Sequence, residues 1–292
     1  MKAKISAYIN LTKPTIILLF AVTGFAAIVA EGSLLNDPWK LSLVMIAMVL
    51  TAGSANALNM YFDRDIDAVM ERTKRRRPIP MHKITPNQAA IFGVVIGVAA
   101  VGYFYFAVNA LSAFYSFFTI AFYVGIYTLW LKRRTPYNIV IGGAAGSTAP
   151  LIGWAAATGH NSLLAWTLFM VVFLWTPPHF WALAIDIQDE YAKAKVPMLP
   201  VTHGEARTRL EIFIYTIILI PVSLVPYFLK TSGIVFLVSG IFLGAFYLWK
   251  TVIYLRQKTR EASKKLFWVS ILYLFLLFIA LLIDAAILGH HS

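Results

Sequence analysis

Long apolar stretches, broken by short polar segments, fill almost the whole of this chain. They lie at 14–31, 41–61, 87–107, 111–131, 138–157, 163–185, 210–229, 232–250 and 267–288. A helix needs about 20 apolar residues to cross a hydrocarbon core of about 30 Å, so the pattern predicts nine transmembrane helices and an all-α, polytopic membrane fold. Asn109 and Ser112 divide the long region 87–131, and Lys230, Ser232 and Gly233 divide 210–250. No Ser-, Gly- or Pro-rich linker separates one group of stretches from another, so residues 1–292 read as a single domain.

Composition agrees with that class: 60% of residues are hydrophobic and 13% charged, which no soluble domain tolerates. With no cysteine in the chain, disulfides, thiolate metal sites and cysteine nucleophiles are excluded. Neither a small-residue cleavage site nor an Arg/Ser-rich presequence precedes the first stretch, so that helix is expected to be retained. The short N-terminus favours a prokaryotic plasma membrane over an organelle.

Charge is distributed by loop. Lys and Arg number 3 before the first stretch, 7 between the second and third, 3 between the fourth and fifth, 4 between the sixth and seventh, and 6 from Lys250 to Lys265. The alternate connections are short or nearly uncharged. Basic loops stay cytoplasmic, so the pattern places the N-terminus inside and the C-terminus outside. The net charge of +12 is then mainly a topology signal, with anionic lipid headgroups rather than nucleic acid as its neighbours.

Topology does not account for the acids on the same side. Asp63, Asp65, Asp67 and Glu71 follow the second stretch; Asp186, Asp189 and Glu190 follow the sixth. Acidic residues contribute little to orientation. Asn59, Asp63 and Asp67 are spaced i, i+4, i+8 and share one stripe if the helix continues, with Asn56 nearby and Asp65 pointing elsewhere. Two carboxylates on adjacent turns with no cation between them repel, and a divalent ion would relieve the field. Mg²⁺ is commonly held by one or two carboxylates plus phosphate oxygens, which suits this set. The plain alternative is a solvated helix end whose acids pair with Arg64, Arg72 and Lys74. In the second cluster Asp186 and Glu190 are again i, i+4, with Asp189 three residues after Asp186. With Arg72, Arg75, Arg76, Arg77, Lys132, Lys193 and Lys195, the two clusters suit a diphosphate whose departure metal and guanidinium groups would assist.

Four blocks carry a family likeness: ANALNMYFDRDIDAVMERTKRRRP, LKRRTPYNIVIGGAAGSTAPLIGW, WTPPHFWALAI and DEYAKAKVPMLPVTHG. Together, from about residue 55 to 204, they resemble the UbiA superfamily of intramembrane prenyltransferases, and within it the branch that farnesylates protohaem IX. The resemblance implies nine helices around a central cavity open toward the cytoplasmic side, and transfer of farnesyl from farnesyl diphosphate to a vinyl group of haem B, with water, giving haem O. It makes Asn59, Asp63 and Asp67 the first Mg²⁺-diphosphate site and Arg72 and Arg77 diphosphate partners. In the second motif, DxxDE here, Asp189 and Glu190 are the expected metal ligands and Asp186 the less secure one. Lys132 and Lys195 are expected phosphate contacts. A superfamily Tyr/Lys pair is approximated by Tyr127 and Lys132, whose separation is five rather than four. The product would pass to a downstream haem-modifying membrane enzyme.

Haem directs attention to the histidines. His290 and His291 end the chain, His82 lies beside the basic loop and His160 in an external connection. His179 falls inside the sixth stretch, where an ionisable side chain reads as functional and where Pro177 and Pro178 are expected to break helical bonding. Its alternative is a neutral histidine bonded across helices. His203 is the second candidate, or a loop residue near the headgroups. The glycines of IGGAAGSTAPLIGW suit close helix packing rather than nucleotide binding. The tryptophans read mainly as interface anchors or packing, with Trp181 and Phe180 as possible faces for a porphyrin or a cation. Asp284 either snorkels outward or pairs with a polar neighbour. Two rival functions share some of these features: a prenyltransferase acting on an aromatic or quinone precursor would need no haem ligand, and a secondary transporter would place its acids near the midplane.

Overall fold

The computed structural model describes residues 2–288, so His290 and His291 lie outside the described residues. Its helices in chain order are α1 (Lys2–Leu11), α2 (Pro14–Glu31), α3 (Pro38–Phe62), α4 (Arg64–Val69), α5 (Glu71–Lys74), α6 (Pro86–Tyr103), α7 (Ala110–Ala121), α8 (Asn138–Gly146), α9 (Ala149–Thr158), α10 (Leu163–Asp186), α11 (Gln188–Lys193), α12 (Leu199–Phe228), α13 (Ile234–Gln257) and α14 (Arg260–Leu288). A π-helical turn, Phe104–Val108, extends α6, and a longer one, Phe122–Trp130, extends α7. Among the described residues nine spans are long and apolar enough to cross a membrane, as the hydropathy pattern predicts.

The spans differ from the predicted stretches chiefly at their basic ends. Helix α12 starts 11 residues early, α13 runs on to Gln257 and α14 begins at Arg260. Hydropathy marks where lipid ends, whereas the helices continue into water on i, i+4 ion pairs. These are Glu205–Arg209 at 2.9 Å, Arg207–Glu211 at 2.5 Å and Glu261–Lys265 at 2.8 Å. Gly204, at φ 75° and ψ 167°, kinks α12 just after its first turn, a conformation glycine adopts without a Cβ clash. The opposite ends are capped by short polar side chains that accept from the exposed amides of a first turn. Asp37 accepts from Lys40 N at 3.0 Å, Asn109 from Ser112 N at 2.9 Å and Ser162 from Ala165 N at 3.0 Å. Asp284 neither snorkels nor pairs with a cation: buried in α14, it accepts from the amides of Gly233 and Phe236 and so caps α13 from a neighbouring helix.

Each span packs on the next in sequence, and α14 packs on α2, which closes the nine into a ring. Contacts of α2 with α9 and of α10 with α14 and α2 draw the inner helices together. Helix α10 runs unbroken through Pro177 and Pro178, contrary to the expected break. The two prolines withdraw only their own amide donors, freeing the carbonyls one turn earlier. The amphipathic α1, which hydropathy does not single out, buries Ala7 and Leu11 against Ala57, Met60, Ile79, Ile84 and Ala89. Between the two acidic segments a small apolar cluster of Ile66, Met70, Tyr127, Ile139, Tyr191, Val196 and Met198 joins α4, the π-turn, α8 and α11.

Candidate active site

Asn59, Asp63 and Asp67 sit where α3 passes into α4. Helix α3 ends at Phe62, and Asp63 caps it with φ −88° and ψ 7°. Bonding of the i, i+4 type continues through the change, because Asp63 N donates to Asn59 O and Asp67 N to Asp63 O, each at 2.8 Å. The stripe expected of one continuous helix therefore survives a junction between two. All three side chains are buried. Asn59 Nδ2 donates to Asp63 Oδ2 at 2.7 Å and to Thr128 Oγ1 at 3.0 Å. Asp65 points the other way, to Arg133, which holds it with two bonds of 2.7 Å. That pairing lowers the Asp65 carboxyl to about 2.

Cations already fill the gap between the carboxylates. The Lys132 ammonium bonds Asp63 and the Arg77 guanidinium bonds Asp67, with the acids 0% and 2% exposed and the cations 12% and 16%. Two residues expected to hold a diphosphate thus rest on two expected to hold a metal. Removing one partner of a buried pair costs about 3–5 kcal/mol, because the other charge is left without compensation. Lys13, at the head of α2, joins them by donating to Asn59 Oδ1 at 2.8 Å. Desolvation, then the nearby Arg77, pushes the Lys13 ammonium well below the usual lysine range.

Local sequence explains how each cation arrives. The Thr73 hydroxyl, buried, reaches the carbonyls of Asp67 at 3.0 Å and Met70 at 3.2 Å, and Arg77 N bonds Thr73 O at 2.9 Å. This turns the RTKRRRP segment back over the stripe. Lys132 follows the π-helical stretch Phe122–Trp130. A π-helix closes its bonds at i→i+5 instead of i→i+4, so Tyr127 and Lys132, five apart, stand as a pair four apart would on an α-helix. Tyr127 is buried and stacks on Tyr123, with ring centroids 5.2 Å apart. Gly142 makes room for it: a Cβ there would fall 2.2 Å from Tyr127 Cδ2.

Oxygen donors dominate this pocket. Asp63 Oδ1 is buried and has no hydrogen-bond partner, an atom left open for a ligand, and Asn59 and Asp67 add a carbonyl and a carboxylate on the same stripe. A hard ion such as Mg²⁺ fits that donor set.

The second acidic segment is built differently. Asp189, 67% exposed, is gripped by Arg260 at the start of α14, which lowers its carboxyl. Glu190 turns toward the first motif, and its Oε2 accepts from the Arg72 backbone N at 3.0 Å. Asp186 is half-buried. The structure therefore does not bring Asp189 and Glu190 onto the stripe of Asn59, Asp63 and Asp67. Among the described residues no three His, Cys, Asp or Glu side chains converge as a metal cluster. Arg72 and Lys195 have exposed side chains.

A family model for the UbiA prenyltransferase family matches residues 17–282. The chain belongs to the UbiA prenyltransferase family. It is 47% identical to a protoheme IX farnesyltransferase from Gloeobacter violaceus over 99% of this chain and 94% of that protein. A protoheme IX farnesyltransferase from Symbiobacterium thermophilum is also 47% identical, over 95% of this chain and 93% of its own length. Among solved structures, digeranylgeranylglyceryl phosphate synthase superposes with a TM-score of 0.80 at 20% identity, covering 98% of this chain and 99% of that one. A UbiA homologue from Archaeoglobus fulgidus bound to DMAPP and Mg²⁺ gives 0.67 at 14% identity, over 94% and 99%. At these identities the two structures establish the UbiA fold alone.

Within this UbiA prenyltransferase the two histidine candidates are unlike each other. His179 is buried between Trp175, stacked at 4.1 Å, and Phe267, at 4.6 Å, and its Nδ1 meets Ser270 Oγ at 2.8 Å. The ring faces are covered, and Nε2 makes no hydrogen bond among the described residues. His203 is exposed beside Tyr137, with Nδ1 against Thr202 Oγ1 at 2.8 Å. Sequence reasoning counted Lys13 among the topology charges and passed over Thr128. The signal for Lys13 was its place: Lys-Pro fixes the first residue of a span, so the lysine before it stands at the rim of the ring. Thr128, an uncharged residue of an apolar stretch, gave no comparable signal.

Proposed function

We propose that this chain transfers the farnesyl group of farnesyl diphosphate to a vinyl group of haem B, with addition of water, to give haem O and diphosphate. The observation that carries the reading is identity of 43–47% over nearly the whole chain to enzymes named protoheme IX farnesyltransferase. The chain acts as one domain in a prokaryotic plasma membrane, with the N-terminus and the acidic segments on the cytoplasmic side and the site opening there.

Asn59, Asp63 and Asp67 are the residues that would hold Mg²⁺, which when bound neutralises charge on the departing diphosphate. Lys132 and Arg77 release Asp63 and Asp67 and donate to the diphosphate oxygens, while Arg72 and Lys195 approach from the exposed loops. Glu190 fixes the backbone at Arg72 and Asp189 anchors α11 to Arg260, so both act on the site through its frame. As the carbon–oxygen bond of farnesyl diphosphate breaks, the electron pair leaves with the diphosphate. Stacked Tyr123 and Tyr127 offer ring faces to the allylic cation. The haem vinyl π electrons form the new carbon–carbon bond; water then adds to the benzylic-type cation and gives up a proton. The apolar cluster around Ile66, Tyr191 and Met198 keeps bulk water from the first cation.

His179 and His203 are the histidines on which haem iron would rest, His179 through Nε2. The covered faces of His179 favour a second reading, in which this ring only packs. Absorption of the purified protein titrated with haem B separates the two: His179→Ala abolishes the ligation spectrum in the first and leaves it unchanged in the second. The function itself is tested by measuring pyrophosphate release from farnesyl diphosphate with and without haem B. Release that requires haem and yields haem O supports it. Turnover with an aromatic or quinone precursor and none with haem refutes it.

A further inference from the structure

Five charged side chains share the pocket at the head of α3. Asp63 and Asp67 are the acids, and Lys13, Arg77 and Lys132 are the cations. The acids are each claimed by one cation, Asp63 by Lys132 and Asp67 by Arg77. Lys13 is the surplus. Its ammonium rests on a neutral amide oxygen, Asn59 Oδ1, at 2.8 Å. A partly buried cation without a counter-charge is an unstable arrangement that an anion relieves.

The backbone around Lys13 holds it there. Lys13 adopts φ 56° between α1 and α2, a left-handed conformation uncommon for a residue with a Cβ. Asn56 Nδ2 donates to the Thr12 carbonyl at 2.9 Å, and Gly53 lets the linker approach α3, since a Cβ there would fall 3.2 Å from Thr12 Cγ2. Asn56 and Asn59, one turn apart on α3, therefore fix the linker and the ammonium separately.

We infer that Lys13 is a third cationic ligand of the substrate diphosphate, held on Asn59 until the anion arrives and then transferred to a phosphate oxygen. This rests on the prenyl diphosphate reading above. Release of Lys13 also frees Asn59 Oδ1, the amide oxygen of the stripe. Of the three cations Lys13 breaks the weakest bond in moving, because Lys132 and Arg77 each leave a carboxylate and charge-assisted bonds are roughly twice as strong as neutral ones. It follows that Lys13 contributes to anion binding even before a divalent ion has displaced the other two.

The test is equilibrium binding of inorganic pyrophosphate, and then of farnesyl diphosphate, to the purified full-length protein with a chelator present and again with Mg²⁺. Lys13→Gln can still donate to Asn59 but carries no charge. Loss of a charge-assisted bond weakens pyrophosphate binding by about tenfold or more. Lys13→Arg restores it to within about threefold, because the guanidinium keeps the charge. Asn56→Ala loosens the linker without touching a charge, and its affinity stays within about twofold of wild type. Thermal unfolding of each variant checks that the fold is kept, and Lys13→Met, which lacks a donor, serves in place of Lys13→Gln if that variant does not fold. Equal binding by wild type and Lys13→Gln overturns the inference alone, as does a loss in Asn56→Ala matching that in Lys13→Gln. Wild-type protein that binds neither pyrophosphate nor farnesyl diphosphate in either condition overturns the prenyl diphosphate reading as well.

Discussion

The two acidic segments look alike as sequence and differ as structure. Each follows a long apolar span and each has carboxylates one helical turn apart. After α3 the carboxylates of Asp63 and Asp67 turn inward, are fully buried and meet a buried cation apiece. After α10 the nearest equivalents separate: Asp189 lies at the surface on Arg260, Glu190 accepts one backbone amide and Asp186 is half-buried. What separates them is supply. The first segment has Lys132 delivered by a π-helical turn and Arg77 by a folded-back loop, and burial of a carboxylate is tolerable only with such partners. Acid spacing alone does not distinguish a buried site from a solvated helix end.

The sharpest way to break this comparison is to neutralise one acid in each segment. Asp63→Asn keeps the side-chain shape and removes a charge, and farnesyl transfer should fall by about 10²–10³-fold, the range for loss of one preorganised electrostatic contact. Thermal unfolding of the same variant should still be cooperative; a variant that folds and retains wild-type transfer would remove Asp63 from the mechanism. Gly142→Ala tests the wall of the first site without touching a charge. Its new Cβ crowds the Tyr127 ring, and turnover should drop by about tenfold, the scale of a misplaced group, with a smaller change in substrate affinity.

Weaker effects are expected in the second segment. Glu190→Gln still accepts from the Arg72 amide but without charge, so turnover should fall about fivefold, as measured against pyrophosphate release. Asp189→Asn should stay within about twofold, since exposed ion pairs contribute little. If Asp189→Asn instead lowers activity as much as Asp63→Asn, the two segments are equivalent in function and the contrast fails. The smallest effect belongs to Asp65→Asn, which should leave transfer within about twofold. Its pairing with Arg133 lowers the Asp65 carboxyl from an ordinary value of 3.8 to about 2. The stability it adds is complete above pH 3.8 and is lost as pH falls through about 2, so wild type and Asp65→Asn should differ in acid unfolding above that window and converge below it.

Much of the fold was legible because lipid imposes length. The nine stretches and the nine spans coincide wherever an apolar run meets a polar cap such as Asp37, Asn109 or Ser162. They part at α12, α13 and α14, where helices held by ion pairs such as Glu205–Arg209 continue beyond the lipid. Helix α1 was not legible because its apolar residues are few and its partners, Met60 and Ile84, are distant in sequence. In the site, the spacing of Asn59, Asp63 and Asp67 gave the stripe, since i, i+4 geometry is local. The identity of their neutralising partners is not local. Lys132 arrives from 69 positions away and Lys13 from 46, and spacing offers no guide to either. The separation of Tyr127 from Lys132 looked one residue too long because the count assumed an α-helix.

The charged pocket draws all of its described members, from Lys13 to Lys132, out of the first four spans, whereas the ring needs α14 to close on α2. During synthesis, every partner that Asp63 and Asp67 require has therefore been made while more than half of the chain is still to come. The costliest charges in the protein can be matched before the bundle that shelters them exists, and the later spans inherit a pocket whose ionic pairs are already available. Biogenesis of the site and completion of the barrel-like ring are, in chain order, separate events.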